Sequence, residues 1–235
     1  MNSFFQEIDK WDKELLLDLN ALHTNWLDGF MWLLSDTLIW IPLLVAFVYY
    51  LIKTQKNTSI LVILCILLLI TFTDQIASGV VKPLVQRFRP THDPEIGNLI
   101  HTVQGYRGGK YGFMSSHAAN AFAIAGFTLL LVRNHLYSFS ILLWALLVSY
   151  SRIYLGVHYP TDVICGGIFG FSASILFYYV FRYLSKGKTH SGNRKMDRRR
   201  KKIQSNFSQI DVNGIILVLS ISITICFIAG YSFSK

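Results

Sequence analysis

Three side chains with complementary chemistry lie close together in the stretch SRIYLGVHYPTD, residues 151–162. The guanidinium of Arg152 can hold a phosphate group through paired donors. The imidazole of His158 can attack as a nucleophile when one ring nitrogen is unprotonated. The carboxylate of Asp162, bonded to the other ring nitrogen, would fix the tautomer of His158 and stabilise its charged form. A histidine and an aspartate four residues apart also form local structural hydrogen bonds at helix starts, so this stretch alone leaves both interpretations open.

Two further blocks carry groups suited to the same chemistry. The first, KPLVQRFRP, has six residues between Lys82 and Arg89, and the second, MSSH, ends at His117 after Ser115 and Ser116. Cationic side chains stabilise the charge on a transferring phosphoryl group, and hydroxyl and backbone N–H groups add hydrogen bonds to it. Cations at the end of an apolar run can also be interfacial anchors, and a histidine can be a core residue. Three blocks in one chain favour a phosphoryl-transfer site over these alternatives.

Long apolar runs determine the fold class. Of the 235 residues, 52% are hydrophobic and 15% are charged, and several stretches of about twenty residues carry almost no charge, which is the length needed to cross a bilayer. The sequence therefore predicts an all-α polytopic membrane protein with about six transmembrane helices in a bundle. The runs are too many to be a cleaved signal peptide. The predicted spans are residues 37–52, 58–81, 118–132, 136–150, 163–183 and 214–230.

The N-terminal twenty residues have a different pattern, with an apolar face and a charged face at helical spacing. The apolar face holds Phe4, Ile8, Trp11, Leu15 and Leu19. This pattern predicts an amphipathic helix that lies at the membrane interface instead of crossing it. The predicted organisation is interfacial N-terminal helices (1–36), a transmembrane core (37–184), a basic loop (185–213) and a C-terminal transmembrane helix (214–235).

The net charge of +9 is concentrated in one loop. Residues 182–202 contain ten Lys or Arg and one acidic residue, so the rest of the chain is formally neutral. A basic excess confined to one loop between two apolar runs argues against nucleic-acid binding and is typical of a cytoplasmic loop that contacts acidic lipid headgroups. Counting spans from this loop places residues 82–117 and 151–162 together on the opposite face of the membrane. The site is therefore expected to face away from the cytoplasm. The small size and simple loops are typical of a bacterial protein, so the chain is expected in a bacterial inner membrane with its site facing the periplasm or exterior.

Other polar residues carry weaker signals. Asp74 lies inside the second predicted span, where we expect a structural pairing with a buried donor in preference to a functional role. Four residues of the polar loop are candidate headgroup contacts or supports for the site: Arg87, Tyr106, Arg107 and Lys110. Five histidines have no motif around them and receive no role: His23, His92, His101, His135 and His190. The cysteines, Cys65, Cys165 and Cys226, lie in apolar runs without metal-ligand spacing, so we expect them to be small packing residues. No metal and no cofactor is predicted for the chain.

The three blocks resemble those of the type 2 phosphatidic acid phosphatase family, which consists of integral membrane lipid phosphatases. This family belongs to a superfamily that includes soluble acid phosphatases and vanadium-dependent haloperoxidases. The first and third blocks match the family in residue type and spacing. The resemblance covers the chain from about Asp74 to the end of the fifth span. The middle block departs from the usual Pro-Ser-Gly-His, because Met114 and Ser116 replace proline and glycine. Glycine reaches backbone angles that serine disfavours, so this replacement makes the local backbone conformation a point to examine.

The resemblance implies a role for each matching residue. His158 would attack phosphorus to form a phosphohistidine, with Asp162 holding its ring, and His117 would protonate the leaving group and then activate water. The phosphoryl oxygens would be bound by the side chains of Lys82, Arg89, Arg152 and Ser115 and by the backbone N–H of Ser116. These cations would stabilise the charge on the phosphoryl oxygens, as a metal ion does in other phosphatases. The resemblance therefore implies a metal-independent reaction.

The substrate implied is a membrane lipid whose phosphate lies at the interface. Undecaprenyl diphosphate and lipid A phosphates are favoured, because the segment MSSHAAN is similar to versions of the family in the Bacteroidetes; phosphatidylglycerol phosphate and phosphatidic acid are also candidates. Three alternatives use the same site: phosphotransfer to a second lipid, a haloperoxidase reaction, and a lipid-phosphate-binding scaffold with weakened chemistry. Free phosphate as product distinguishes hydrolysis from phosphotransfer, vanadate-dependent bromination would indicate a haloperoxidase, and binding without turnover would indicate a scaffold.

Overall fold

The computed structural model describes residues 3–56, 58–187 and 207–232. The described chain is helical, and its one β pairing is an isolated bridge between Phe88 and Tyr111. The helices are α1 (Ser3–Asn20), α2 (Asn25–Ser35), α3 (Ile41–Thr54), α4 (Ser59–Asp74), α5 (Lys82–Val85), α6 (Ser116–Val132), α7 (His135–Tyr154), α8 (Pro160–Gly187) and α9 (Gln209–Ser232). A 3₁₀ turn, Thr37–Trp40, leads into α3, and a π-helical segment, Gln75–Val81, joins α4 to α5.

The membrane-spanning helices agree with the predicted fold class. Among the described residues, five helices are long and apolar enough to cross a membrane: Thr37–Thr54, Ser59–Val85, His135–Tyr154, Pro160–Ser185 and Gln209–Tyr231. The third predicted span, 118–132, corresponds to α6, which is apolar but has only 17 residues. The second span is a 27-residue rod, because the π-helical segment continues α4 into α5 without a break.

Helices α6 and α8 form the closest helix pair of the bundle, and glycines make this approach possible. A Cβ atom on Gly170 would lie 1.9 Å from the carbonyl oxygen of Ala119, and one on Gly166 would lie 2.4 Å from the carbonyl oxygen of Ser115. Small residues allow helix backbones in membranes to approach one another in this way. The contact matters for the site because α6 begins in the middle sequence block and α8 begins within the third.

We expect Gly170→Ala to destabilise the protein, because the added methyl group cannot fit between α6 and α8 without moving one of them. Overpacking of this kind costs about 1–3 kcal/mol, and the measurement is thermal unfolding in detergent. Gly79→Ala is the matched control, since its Cβ would meet one flexible side-chain atom, of Gln75, at an ordinary 3.4 Å. Equal melting temperatures for the two variants would contradict this account of the helix contact.

The other end of the bundle joins the ends of several helices through polar contacts. The Lys53 Nζ at the end of α3 donates to Asp211 Oδ1 in the first turn of α9 at 2.7 Å. The Arg133 side chain, after α6, donates to the hydroxyl of Tyr178 on α8 at 2.9 Å. The basic residues assigned to one face by counting spans therefore do lie at one end, although most of the predicted basic loop lies outside the described residues.

One face of helix α1 packs against the rest of the protein. Asp12, Leu16 and Asn20 are buried against α7, α8 and the polar loop, and Asn20 Nδ2 donates to the carbonyl of Tyr154 at 2.8 Å. Trp11, on the predicted apolar face, is half exposed. The interfacial position of that face stays a prediction, but the helix also contacts the region that carries the three blocks.

Candidate active site

The third sequence block is divided among three elements. Arg152 lies in the last turn of α7. The predicted span ends at residue 150 and leaves Arg152 in the stretch that follows it. His158 lies in the turn that follows, where Gly156 has a φ of +68° and its Cα faces the side chain of Ile100 too closely for a Cβ. Asp162 lies in the first turn of α8, which starts at Pro160. The tight turn therefore directs all three side chains toward one buried space.

His158 and Asp162 form a buried pair. The imidazole Nδ1 lies 3.3 Å from Asp162 Oδ2, and the same oxygen accepts a hydrogen bond from the backbone N–H of Tyr159 at 3.1 Å. Both side chains are almost completely excluded from solvent. When Nδ1–H donates to the carboxylate, the lone pair resides on Nε2, which is the arrangement that a histidine nucleophile needs.

The first block enters the site from the second span. The π-helical segment places extra residues in its turns and so changes the direction of Lys82 relative to α4. The Lys82 Nζ donates to Ser78 Oγ at 3.1 Å and to Ser116 Oγ at 3.2 Å. Arg89 is held by the far end of the polar loop, since its backbone N–H donates to Lys110 O at 3.0 Å and its Nε donates to Tyr111 O at 3.1 Å.

Two buried guanidinium groups keep donors without a partner. Arg89 Nη1 and Arg152 Nε are buried, and neither makes a hydrogen bond within the described residues. Each amino group of Arg152 has one partner, because Nη1 donates to Ser35 Oγ and Nη2 donates to the hydroxyl of Tyr106 at 3.4 Å. A buried donor without an acceptor is costly. The two free N–H groups are therefore suited to the oxygens of an anion that enters the site.

The middle block starts α6. Ser115 is the N-cap of the helix, and its side chain accepts a hydrogen bond from Ala118 N. Ser116 is the first helical residue and is not among the described non-glycine residues with positive φ, so serine is compatible with this position. Its hydroxyl, which glycine would lack, binds Lys82. His117 follows in the first turn, where its ring interacts electrostatically with His158. The three blocks thus meet, as the sequence predicted.

The charges around His158 disfavour its protonated form. Burial of the imidazole is the largest effect, and the positive charges of Arg89, Arg152 and Lys82 add to it, so the pKa of His158 lies well below its ordinary value of 6.5. Burial, followed by the charge of Arg152, likewise lowers the pKa of Arg89. A site that repels protons from its histidine and concentrates positive charge is suited to an anionic substrate and a neutral imidazole nucleophile.

The structure adds contacts that the sequence did not predict and corrects one that it did. Ser35, which binds Arg152, comes from α2, outside every motif. Asp74 makes no hydrogen bond or ion pair with any described residue, so the expected pairing with a buried donor is wrong. Its carboxylate instead lines a cavity, and it acts on Lys82 only through longer-range electrostatics.

The four candidate headgroup contacts or supports from the polar loop make different contacts in the structure. Tyr106 contacts Arg152, whereas the Arg107 side chain donates to Thr91 O and the Lys110 ammonium lies over the rings of Phe88 and Tyr111. His101, which received no role, pairs with Asp28 at 2.9 Å and stacks on His23. Arg87 bonds directly to Asp162.

A cavity of about 470 Å³ extends from the site into the membrane-spanning part of the bundle. Ser116 and His117 line one part of it, and the apolar side chains of Phe47, Ile70 and Trp144 line others. Its walls come from α3, α4, α6, α7 and α9. An apolar cavity of this size at membrane depth is suited to a hydrocarbon chain.

Comparisons with known proteins agree with this arrangement. A family model described as the PAP2 superfamily matches residues 63–186. The lipid A 4'-phosphatase of Bacteroides thetaiotaomicron is 39% identical over 188 residues, which are 79% of this chain and 82% of that protein. The lipid A 4'-phosphatase of Porphyromonas gingivalis is 39% identical over 173 residues, 73% of each chain. The crystal structure of a transmembrane PAP2 type phosphatidylglycerolphosphate phosphatase from Bacillus subtilis shares the fold, with a TM-score of 0.56 at 21% identity, covering 79% of this chain and 90% of that one.

Proposed function

The chain belongs to the PAP2 superfamily and is a multi-pass membrane lipid phosphatase; we propose that it hydrolyses the phosphate monoester at the 4'-position of lipid A. The observation that carries the proposal is the pair of unpartnered guanidinium donors, Arg89 Nη1 and Arg152 Nε, in the same buried site as the His158–Asp162 pair. Donors in this position stabilise the phosphoryl oxygens during transfer.

The reaction would proceed in two steps. Nε2 of His158 attacks phosphorus while the bond from phosphorus to the sugar oxygen breaks, and His117 supplies the proton that this oxygen takes up. His117, now neutral, then removes a proton from water, whose oxygen attacks the phosphohistidine and releases inorganic phosphate with unmodified His158. Lys82, Arg89 and Arg152 hold the phosphoryl oxygens in both steps, and the Ser115 hydroxyl and the Ser116 N–H add hydrogen bonds.

The cavity supports a lipid substrate for this site. A substrate with its phosphate beside His117 would place an attached hydrocarbon chain between α3, α4 and α7, where the walls are mostly apolar. The choice of lipid A among phosphate lipids rests on the two relatives, each 39% identical, that carry this activity in their names. The sequence alone had left undecaprenyl diphosphate equally favoured.

Phosphate release from a panel of lipids tests the proposal. The purified protein in detergent with EDTA is given lipid A, undecaprenyl diphosphate, phosphatidylglycerol phosphate and phosphatidic acid. We expect release from lipid A to exceed release from the other three, and mass spectrometry to show that the 4'-phosphate is lost. EDTA should have no effect, because the proposed chemistry uses cationic side chains in place of a metal ion.

Other outcomes would point to other functions. Preferred hydrolysis of undecaprenyl diphosphate would replace the substrate but retain the mechanism. Labelled phosphate recovered on a second lipid would indicate phosphotransfer, and lipid binding without turnover would indicate a scaffold. Bromination that depends on added vanadate would indicate a haloperoxidase.

The pH dependence should reflect the low pKa of His158. His158 must be neutral to attack, so on the acid side kcat/KM falls when the pH drops through its folded-state pKa, which lies well below 6.5. Replacing Arg89 by Gln removes one of the charges that oppose protonation, so the acid limb of kcat/KM should move to higher pH. Titration of the substrate phosphate is common to both proteins and does not affect this difference. An unchanged acid limb in Arg89→Gln would contradict the electrostatic account.

We propose that the site faces the periplasm of a bacterial inner membrane and that the basic loop contacts acidic lipids on the cytoplasmic side. The support is the position of Lys53 and Arg133 at the end of the bundle opposite His158, since positive residues accumulate on the cytoplasmic side. Replacing the basic residues of 185–213 by Gln should weaken binding to anionic vesicles or alter the topology. If neither changes, this part of the proposal is wrong.

A further inference from the structure

A buried ion-pair network connects helix α1 to the His158–Asp162 pair. Asp12, whose side chain is fully excluded from solvent, accepts a hydrogen bond from Arg87 Nη2 at 2.8 Å. The other amino group of Arg87, Nη1, donates to Asp162 Oδ1 at 3.1 Å. The guanidinium of Arg87 is thus placed between two buried carboxylates, one from the N-terminal helix and one from the site.

The two oxygens of the Asp162 carboxylate accept hydrogen bonds from different donors. Oδ2 accepts from the His158 imidazole and from the Tyr159 backbone, whereas Oδ1 accepts from Arg87. A carboxylate bound at only one oxygen can rotate about its terminal bond, and this rotation would weaken the contact with His158. The hydrogen bond from Arg87 opposes this rotation and so keeps Oδ2 directed at Nδ1.

Arg87 itself is held from several directions. Its guanidinium carbon lies 4.0 Å from the centroid of the Tyr159 ring, and Nη1 also donates to Thr161 Oγ1 at 2.8 Å. Asp12 binds the backbone N–H of Thr161 at 2.9 Å and also its hydroxyl, so it fixes both Arg87 and the first turn of α8. Asp9 adds a second contact to Nη2 at 3.2 Å. Removal of Asp12 would leave Arg87 without its shortest charged contact.

We propose that Asp12 and Arg87 are positioning residues that act through Asp162 to orient His158, which makes helix α1 part of the catalytic apparatus. This inference rests on the proposed role of His158 as the nucleophile. The network touches neither the phosphate-binding donors nor the cavity described above, so its loss should lower kcat and leave KM nearly unchanged. Loss of partners that orient a catalytic or ligating group costs about ten- to a hundredfold in comparable sites.

The competing explanation is that Asp12 only anchors α1 to α8 through Thr161. A double-mutant cycle separates the two explanations, because residues that act through one another are not additive. We expect Asp12→Asn and Arg87→Gln each to lower kcat about tenfold, with KM changed by less than about twofold. The double variant should be no slower than Arg87→Gln alone, and Asp12→Glu, which keeps the charge, should recover part of the loss.

The control is Asp18→Asn, the same chemical change at an exposed position of α1, which should have the wild-type kcat. Effects of Asp12→Asn and Arg87→Gln that multiply, or a wild-type kcat in Asp12→Asn, would overturn the positioning role while an active wild-type enzyme upholds the proposed function. If Asp12→Asn does not fold, Arg87→Lys decides the question: it keeps the charge but cannot bridge both carboxylates, so a wild-type kcat in this variant overturns the role. An inactive wild-type protein overturns both proposals.

Discussion

Replacing His158 by Ala should reduce phosphate release by at least about 10⁴-fold, since removal of a catalytic nucleophile leaves only the contribution of the surrounding binding groups. The imidazole is the buried group that Asp162 orients and that three cations surround. Quenching the wild-type reaction in alkali should trap labelled phosphate on the protein, because phosphohistidine is stable in base. The variant should carry no label.

His135→Ala is the matched control for this experiment. His135 is exposed and begins α7, whereas Arg152 lies near the end of the same helix, seventeen residues away, or about 25 Å. This variant should release phosphate at the wild-type rate. Persistent label in His158→Ala would assign the nucleophile to a different residue, with His117 the first to examine.

The parts of the protein that were predicted correctly depend on patterns local in sequence. Apolar runs of bilayer length predict helices, because backbone groups in lipid must bond within their own segment. The span ends differ from prediction by a few residues: the last span begins at Gln209 instead of residue 214, and α7 extends to Tyr154 and so includes Arg152. The three blocks also met as predicted, since an even number of spans between Lys82 and His158 returns the chain to the same side.

The parts that were not predicted depend on contacts between distant segments. Ser35 and Asp12 lie on helices without any motif, and their partners, Arg152 and Arg87, are 117 and 75 residues away. No periodicity encodes such a pairing. The amphipathic pattern of α1 placed Asp12 on the charged face of the helix, whereas this side chain is fully buried.

Asp74 illustrates a different limit. A carboxylate within a span indicates either a buried pairing or a functional surface, and the pattern of the sequence cannot distinguish them. In the structure Asp74 lines the cavity and pairs with no described residue. Helix packing, and not helix assignment, therefore determines which polar residues in the spans face a ligand.

Replacing Arg152 by Gln should have the second largest effect on activity. The side chain is 3% exposed, and its unpartnered Nε is one of the two buried donors proposed to bind the phosphate. Glutamine removes the positive charge and the planar set of donors, and loss of one donor that stabilises a transition-state oxyanion costs about 10²–10³-fold in kcat. Because the donor acts on charge that develops during transfer, we expect kcat to fall more than the affinity for lipid A.

The control for Arg152→Gln is Arg133→Gln, which removes an exposed arginine at the opposite end of the bundle, where its partner is the hydroxyl of Tyr178. Both variants lower the net charge by one, so a general electrostatic effect on lipid or detergent would appear in both. A loss confined to Arg152→Gln would locate the effect in the site. Equal losses in the two variants would mean that Arg152 contributes only to the overall charge, and the phosphate would then have to be held by Lys82 and Arg89 alone.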